Sequence, residues 1–291
     1  MPELPEVETI RIGLEPRLTG SVIQNVMVEN FPGVIEGLSV DQFLHSVAGR
    51  SFTNLTRRGK YLLLGISGDL AIMVHLRMTG QLLVEPADAP PQRFERLRIE
   101  LDDGRQLRFA DQRKFGRVAL YMPGDIRALD RRLGIEPLSS AFTARWLEAA
   151  LAGRTGMIKP LLLDQTIIAG IGNIYADEAL YRARIHPMTP ASALAPAQVR
   201  RLHRELRLVL RESIDRRGTT FSSYRDSSGE AGTNQYSLLV YGLGRRQHPC
   251  PRCGTVLVCL TVGGRSSHIC PMCQVQASHF LPAEPLTAQS S

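Results

Sequence analysis

The first six residues contain groups that could perform covalent catalysis. The chain begins Met1-Pro2-Glu3-Leu4-Pro5-Glu6, and a proline in second place normally permits removal of the initiator methionine. The mature chain would then begin with the amine of Pro2, whose pKa is about 8, compared with about 10.4 for a lysine side chain. Because this amine is secondary, its condensation with an aldehyde carbon gives an iminium that keeps its positive charge. The alternative is that Pro2 and Pro5 only stiffen the start of the chain.

Two glutamates lie close to this amine. Glu3 is its immediate neighbour, and Glu6 lies one helical turn further on. The apolar residues Val7, Ile10 and Leu14 recur at helical spacing, so a helix is predicted to begin near residue 2. Acidic residues in a first turn also complement the positive end of the helix dipole. The amine is therefore expected at the start of a packed helix.

Four of the five cysteines have the spacing of a tetrathiolate zinc site. They form two Cys-x2-Cys pairs separated by sixteen residues, namely Cys250, Cys253, Cys270 and Cys273. Strand-like runs at 255–262 and 265–269, joined by Gly263-Gly264, predict a β-hairpin between the pairs. A module of this size does not fold without its metal, so one structural zinc ion is expected. Cys259 is predicted to be a buried apolar residue.

Lysine is rare, and each of the three lysines lies in or beside a motif of interest. Arginine supplies the other 32 of the 35 basic residues, a bias that a GC-rich genome explains. Lysines that persist against this bias could supply an amine that guanidinium cannot replace. Lys60 ends the run Arg-Arg-Gly-Lys, Lys114 lies in the basic turn 111–116, and Lys159 starts the run Lys-Pro-Leu-Leu-Leu-Asp-Gln.

A glycine-rich turn precedes a predicted helix at Asn173. The run reads Gly170-Ile171-Gly172-Asn173-Ile174-Tyr175. Backbone N–H groups at such a helix start can bind a phosphate. Helix capping by Asn173 is the alternative interpretation.

Composition and charge limit the classes of partner and compartment. The 291 residues carry a net charge of +7, with a pI of about 9.5, which favours a polyanionic partner. The sequence contains no run of 18 apolar residues and no charged-then-apolar leader, so a soluble cytoplasmic protein without a membrane partner is expected. In that compartment cysteines favour metal over disulfides.

The elements that must position these residues fall into two halves. Residues 1–135 contain one helix and then many short strand-like runs with Gly-Asp and Asp-Asp-Gly turns, which is typical of a β-sandwich. Helical periodicity dominates afterwards, above all at 196–216. A polar, Gly/Ser-rich loop follows at 218–235.

These motifs together resemble the formamidopyrimidine-DNA glycosylase family of bacterial base-excision repair enzymes. The resemblance covers nearly the whole chain and includes the Pro-Glu-Leu-Pro-Glu opening, the Lys60 run, the basic turn, the runs 159–165 and 170–178, and the cysteines. Endonuclease VIII, a near relative, has glycine where this chain has Leu4. The resemblance implies an α+β fold. Its parts would be an N-terminal catalytic β-sandwich with flanking helices (1–135), a helix-two-turn-helix DNA-binding domain (136–235), a zinc-bound β-hairpin (236–276) and a disordered tail (277–291).

The resemblance also implies roles for the catalytic residues. Pro2 would attack the sugar C1′, Glu3 would protonate the ring oxygen or leaving group, and Glu6 would orient the terminus. Lys60 would contact the lesion backbone and transfer a proton in β-elimination. Arg265 would contact the phosphates that flank the lesion and assist the second elimination.

A further set of residues is expected to bind the DNA. An enzyme that acts on a stacked base must extrude it and then fill the vacated space. By the resemblance, Arg113 would bond the abandoned partner base, while Phe115 and Met78 would fill the space. The other predicted DNA-binding residues are Arg154, Lys159, Asn173 and His75. Candidates for contact with the lesion are Thr219, Thr220 and Tyr224 of the polar loop.

Two segments depart from the family's pattern. A histidine-containing run is replaced by Arg93-Phe94-Glu95-Arg96, and Phe94 cannot bond a phosphate as histidine does. A Gly-Tyr-Phe run is replaced by Gly232-Thr233-Asn234 in the loop that caps the extruded purine in relatives. Lesion preference therefore stays open.

The function expected is that of a monomeric DNA glycosylase and abasic-site lyase. It would remove 8-oxoguanine and formamidopyrimidines from duplex DNA and then cut the strand by β,δ-elimination, in association with the bacterial nucleoid. The first alternative is an endonuclease VIII-like enzyme for oxidised pyrimidines. The second is a non-catalytic, zinc-dependent protein that binds damaged DNA.

Overall fold

The computed structural model describes residues 1–276 of the chain, and the predicted disordered tail lies outside this range. The α-helices are α1 (Leu4–Leu18), α2 (Val40–Val47), α3 (Pro123–Arg132), α4 (Ala144–Leu151), α5 (Ile158–Leu163), α6 (Asn173–Ala183) and α7 (Pro196–Asp215). The β-strands are β1 (Ile23–Val28), β2 (Ile35–Glu36), β3 (Phe52–Arg58), β4 (Tyr61–Ile66), β5 (Leu70–His75), β6 (Gly80–Pro86), β7 (Glu95–Leu101), β8 (Arg105–Asp111), β9 (Arg117–Tyr121), β10 (Val258–Val262) and β11 (Arg265–Ile269).

Helix α1 fixes the start of the chain between the two large parts of the molecule. Glu6 Oε2 accepts the backbone N–H of Glu3 at 2.8 Å, which satisfies one of the free donors at the helix start. Pro5 suits the first turn because it has no N–H to leave unpaired. Leu4 is buried in the helical core, whereas Val7, Ile10 and Leu14 are buried in the sandwich core. The N-terminus is therefore packed at the junction, as the sequence predicts.

Two sheets pack face to face in the first half of the chain. One sheet has the strand order β1-β7-β8-β6, and the other has the order β2-β9-β5-β4-β3. All pairs are antiparallel except β2 with β9. Inward-facing side chains of both sheets form one apolar core that includes Ile23, Leu62, Val74, Ile99 and Phe109. This arrangement confirms the predicted β-sandwich.

The helices after residue 140 form a second core. Apolar residues of α4, α5, α6 and α7 pack together, among them Leu147, Leu162, Ala176, Leu202 and Leu206. The apolar stripe of α7 is buried in this core, which explains its periodicity without a functional role. Helix α6 begins directly beside the N-terminus of the chain because Leu4 N–H donates to Gly170 O at 3.0 Å.

The cysteine module forms a two-stranded hairpin that packs on the helices. Strand β10 pairs antiparallel with β11, from Val258 opposite Ile269 to Val262 opposite Arg265. Gly263 and Gly264 both have positive φ, as a tight turn of this kind requires. The prediction that Cys259 is buried is wrong, because most of β10 faces outward and Cys259 is exposed. The α+β class, with sandwich, helical part and hairpin, is otherwise confirmed.

Candidate functional site

A cavity of about 430 Å³ lies where the N-terminus, the sandwich, α6 and the hairpin meet. It gathers residues from distant parts of the chain, from Met1 to Arg265. Those predicted from sequence are Glu3, Lys60, His75, Met78, Asn173 and Arg265, and Met1 also lines the wall. Pro2 is buried just behind the exposed Met1. Removal of Met1 would place the Pro2 amine directly beside this cavity.

The Glu3 carboxyl group lies at the start of α6. Its Oε1 accepts the backbone N–H of Ile174 at 3.1 Å, while Oε2 has no partner among the described residues. Gly172 permits this approach, because a Cβ there would lie 2.3 Å from the Glu3 Cδ. Burial raises the pKa of Glu3 and Glu6 raises it further, against the opposing charge of Lys60. The site thus holds a carboxyl group with an elevated pKa, as a general acid needs.

Glu6 holds the start of α1 in place through hydrogen bonds to three parts of the chain. Its carboxylate accepts hydrogen bonds from the Glu3 N–H, from the Tyr175 hydroxyl at 2.5 Å and from the Thr219 N–H at 2.8 Å. The Tyr175 hydroxyl also contacts Ser213 Oγ at 2.5 Å. Glu6 is 1% exposed, so these partners replace water. The roles of Tyr175 and Ser213 were not predicted from the sequence. There Tyr175 resembles any core aromatic residue, and Ser213 is an ordinary helix position.

Lys60 is held in the cavity wall with little contact to solvent. It is 8% exposed, and burial lowers the pKa of its ammonium, with Glu3 opposing and Arg265 reinforcing the shift. The amine is therefore easier to deprotonate than an ordinary lysine. Arg265 is exposed at the cavity rim, at the first position of β11.

His75 lies in the same wall and carries no charge at neutral pH. Burial, with help from Arg77 and Lys60, lowers the pKa of His75 to about 3. Its Nδ1 accepts the N–H of Arg77 at 3.1 Å, and its ring packs edge-on against Tyr61. A neutral imidazole can donate one hydrogen bond to a phosphate oxygen without adding charge.

The three residues predicted to enter the DNA stack lie together on the surface. The Arg113 guanidinium stacks 4.8 Å from the Phe115 ring centroid and approaches the Met78 sulfur at 2.9 Å. Phe115 is 47% exposed and Met78 is 40% exposed. Asp111 holds the turn by accepting N–H groups of Arg113 and Gly116. The cluster projects outward and is free to insert into a duplex.

Lys159 is a correction to the sequence prediction. Its side chain is 0% exposed, and its ammonium pairs with Asp177 at 2.6 Å. A direct contact with DNA does not fit this position, because the charge is already desolvated and compensated inside the protein. Arg154 is exposed, and its Nε donates to the Ala150 carbonyl at 2.8 Å. Asn173 Nδ2 donates to the Ser266 carbonyl at 2.9 Å, so Asn173 ties α6 to the hairpin.

The loop candidates are mostly turned inward. Thr219 is buried, and its hydroxyl contacts Tyr175 and accepts from Asn234. Tyr224 is buried in the sandwich core and donates to the Arg217 carbonyl at 3.1 Å. Their side chains stabilise the loop in this structure and do not line the cavity. Thr220 is half-buried, and its hydroxyl donates to the Tyr224 carbonyl.

The four predicted cysteine ligands fit a zinc ion. A tetrahedral site with Zn–S bonds of about 2.3 Å has S···S distances of about 3.8 Å. The sulfurs are 3.9 Å apart for Cys250 and Cys273, 3.5 Å for Cys253 and Cys270, and 3.6 Å for Cys253 and Cys273. All four Sγ atoms lie within 4.8 Å of one another. This tetrathiolate would hold zinc and fix the hairpin, with all four positions filled by protein.

Family models match three consecutive parts of the chain. The formamidopyrimidine-DNA glycosylase N-terminal domain matches residues 1–118, and the H2TH domain of the same enzymes matches residues 133–225. A zinc finger found in FPG and IleRS matches residues 247–275.

Relatives and solved structures match along most of the chain. Formamidopyrimidine-DNA glycosylase of Herpetosiphon aurantiacus is 46% identical over 94% of this chain and 100% of that protein. The same enzyme from a Roseiflexus species is 47% identical with the same coverage. A Lactococcus lactis FPG mutant in complex with Fapy-dG DNA has a TM-score of 0.88 at 34% identity, covering 94% of this chain and 100% of that one. In the described part of this chain, none of the helices meets the length and hydropathy needed to cross a bilayer.

Proposed function

Because the chain belongs to the formamidopyrimidine-DNA glycosylase family, we propose that it is a bifunctional DNA glycosylase and abasic-site lyase of base-excision repair. Its substrates are duplexes that contain oxidised purines, namely 8-oxoguanine and formamidopyrimidines. One observation carries this proposal. The N-terminus, the elevated-pKa carboxyl group of Glu3, the Lys60 amine and the Arg265 guanidinium all meet at one cavity.

Base removal begins at the N-terminal amine. The Pro2 nitrogen donates its electron pair to C1′ of the sugar, and the bond from C1′ to the base breaks as Glu3 delivers a proton to the ring oxygen or the base. Opening of the sugar leaves an iminium between Pro2 and C1′. Glu6, held by Tyr175 and Thr219, keeps the helix start in place during this step.

Strand cleavage follows from the electron demand of the iminium. Loss of a proton from C2′ breaks the C3′–O bond and releases the downstream strand with a 5′-phosphate. Loss of a proton from C4′ then breaks the C5′–O bond and leaves a 3′-phosphate on the upstream strand. Lys60, whose lowered pKa favours a neutral amine, transfers the first proton. Arg265 stabilises the charge that develops on the leaving phosphates.

The remaining surface binds and deforms the duplex. Phe115 and Met78 enter the stack, and Arg113 bonds the base left without a partner. The cysteine cluster would hold zinc within the hairpin and thereby present Arg265. We further propose that the protein is a monomer. Its catalytic, helix-two-turn-helix and zinc-hairpin domains would comprise residues 1–135, 136–235 and 236–276. A thiolate zinc site and a DNA substrate suit the bacterial cytoplasm and association with the nucleoid.

Trapping with borohydride tests the covalent step. The purified chain is mixed with a duplex that contains 8-oxoguanine, and borohydride reduces any iminium to a stable amine. We expect one covalent adduct per chain, with the linkage at the nitrogen of residue 2 by mass spectrometry. Pro2→Gly keeps a terminal amine and should retain some trapping, whereas a chain that keeps Met1 should form no adduct at that nitrogen. A protein that binds the duplex but forms no adduct would support the non-catalytic alternative.

Oxidised pyrimidines are a second candidate substrate class. One similar Lactococcus lactis FPG structure, 34% identical, contains DNA with an oxidised pyrimidine, and the capping loop of this chain departs from the family at Gly232-Thr233-Asn234. Comparing cleavage rates for 8-oxoguanine, formamidopyrimidine and oxidised pyrimidine duplexes decides between the classes. A faster rate on pyrimidines would favour the endonuclease VIII-like alternative.

A further inference from the structure

A buried ion pair anchors the hairpin beside its tip, and none of the steps above uses it. Lys159 Nζ lies 2.6 Å from Asp177 Oδ1, and the two side chains are 0% and 1% exposed. Lys159 belongs to α5 and Asp177 to α6. Isolated charges in such a place would be strongly unfavourable, so the pair must be fixed by further hydrogen bonds.

Those hydrogen bonds all go to three consecutive residues of β11. Lys159 Nζ donates to the Ser266 carbonyl and to Ser267 Oγ, each at 2.7 Å. Asp177 Oδ2 accepts the backbone N–H of His268 at 2.9 Å. The ion pair therefore fixes the position of β11 through hydrogen bonds to its backbone as well as to Ser267.

Arg265 is the residue immediately before this run. The turn that precedes it also rests on α5, since a Cβ on Gly263 would lie 2.9 Å from the Pro160 side chain. The backbone of Arg265 is thus held on one side by packing against Pro160 and on the other by Lys159 and Asp177. The predicted zinc ligand nearest to Arg265 in the sequence is Cys270, which follows this run.

We infer that Lys159 and Asp177 are positioning residues that set the place of the Arg265 guanidinium in the cavity. The inference rests on the proposed lyase function, in which Arg265 assists the second elimination. Base removal takes place at C1′ with the Pro2 amine and Glu3, which this ion pair does not touch. Displacement of β11 should therefore slow the release of the upstream phosphate more than the removal of the base.

Asp177→Asn tests the inference in the full-length, zinc-loaded protein. Single-turnover reactions on an 8-oxoguanine duplex give the rate of base removal and the ratio of β-product to β,δ-product. We expect the ratio to rise at least about tenfold while base removal changes less than about twofold, since displacement of a catalytic group by about 1 Å can cost about a hundredfold. In an Arg265→Ala background, Asp177→Asn should raise the ratio no further, because the positioned group is already absent.

Two further variants separate positioning from loss of stability. The double variant Lys159→Met/Asp177→Asn leaves no unpaired buried charge and should give the same product ratio if Asp177→Asn alone does not fold. Leu151→Ala opens a cavity in the helical core without touching β11 and should leave the ratio unchanged. Native mass spectrometry checks that each protein carries one zinc ion.

The possible failures are distinct. An unchanged product ratio in folded, zinc-loaded variants overturns the inference and leaves the glycosylase function standing. A fall in base removal as large as the change in ratio also overturns it, because Lys159 would then act at the lesion itself. If the unmodified protein neither removes the base nor cuts the strand, the proposed function fails instead.

Discussion

The Glu3 carboxyl group shows how one buried residue can be useful for catalysis and unfavourable for folding. Its pKa is raised by burial and by Glu6, although Lys60 and the Ile174 N–H favour the charged form. One carboxylate oxygen has no hydrogen-bond partner among the described residues. Such a group keeps its proton to higher pH than a free glutamate. Loss of that proton destabilises the folded state, because the charge is then buried.

Glu3→Gln should therefore stabilise the protein while removing its acid. Because the folded-state pKa lies above the unfolded value of 4.5, the contribution of Glu3 to stability is full below that pH and is lost as pH rises through the folded pKa. Glutamine never ionises, so the advantage of the variant in thermal unfolding should grow as the pH rises above the unfolded value of 4.5. Base removal should fall by about a hundredfold or more. Parallel stability curves for the two proteins would contradict the assigned burial effect.

The sequence predicted residues whose side-chain type and motif indicate a chemical role. It did not predict the roles of residues that depend on burial in the folded chain. Pro2, Glu3, Lys60 and Arg265 lie in recognisable motifs; the last three line one cavity, and Pro2 is buried behind Met1 of the cavity wall. Asp177 was missed because a carboxylate on a helix usually faces solvent. Lys159 was predicted to contact DNA for the same reason, since nothing in the sequence shows that its ammonium is enclosed by α6 and β11.

At the level of elements, the junction between α1 and α6 is the arrangement on which the site depends. The start of α6 points at Glu3, and Gly172 allows the two backbones to come close. The φ of Gly172 is −133°, a value open to any residue, so space and not backbone conformation requires glycine here. A single methyl group should therefore disturb the carboxyl group selectively.

Gly172→Ala should remove most base excision without unfolding the protein. The added Cβ would lie 2.3 Å from the Glu3 Cδ, so the carboxyl group must move out of its position. A misplacement of about 1 Å is expected to slow base removal by about a hundredfold. Gly124→Ala is the matched control, because a Cβ there meets nothing within 4 Å. Equal single-turnover rates for the two variants would show that Glu3 can act from another position.

Prediction of the elements succeeded where periodicity was strong and failed where polar residues interrupted it. The predicted helix at 196–216 differs from α7 by one residue at its end, and the predicted strand-like run 265–269 matches β11. Strands β3 and β8 carry arginines and polar residues that conceal their alternation in the sequence. In β8 the buried Arg108 donates to the carbonyls of Pro90 and Ala89 and pairs with Glu85 at 3.3 Å, an arrangement that only the fold reveals.

The hairpin should depend on four of its five cysteines. Cys253 and Cys259 are both exposed, but only Cys253 belongs to the sulfur cluster. Cys253→Ala should release zinc and abolish tight DNA binding, since a structural zinc ion contributes about 10–16 kcal/mol to folding in small zinc-dependent modules. Cys259→Ala should keep both properties. Metal analysis and DNA titration check the pair, and zinc retention by Cys253→Ala would refute the tetrathiolate assignment.

At the scale of the whole molecule, net charge alone gives a poor account of where DNA binds. The 35 lysines and arginines include arginines that are paired with carboxylates inside the protein. Arg57 bonds Glu8 and Glu136, and Arg58 bonds Glu136 and Asp130, so these two strengthen the contact between the sandwich and the segment before α4. The positions of the cationic groups at the cavity and its rim therefore indicate the DNA-binding surface better than the net charge does.

The salt dependence of DNA binding should separate phosphate contacts from base contacts. Arg265→Ala removes a predicted phosphate contact, so the slope of log K against log salt should become less steep by about one unit. Arg113→Ala removes a predicted base contact, so it should leave that slope nearly unchanged and relax the preference for the base opposite the lesion. Both arginines are exposed, which makes Arg113→Ala a control for loss of surface charge as such. Titrations of one lesion duplex at several salt concentrations, repeated with each opposing base, measure both effects. If the two variants change the slope equally, the guanidinium of Arg265 does not contact the backbone in the way that the lyase mechanism requires.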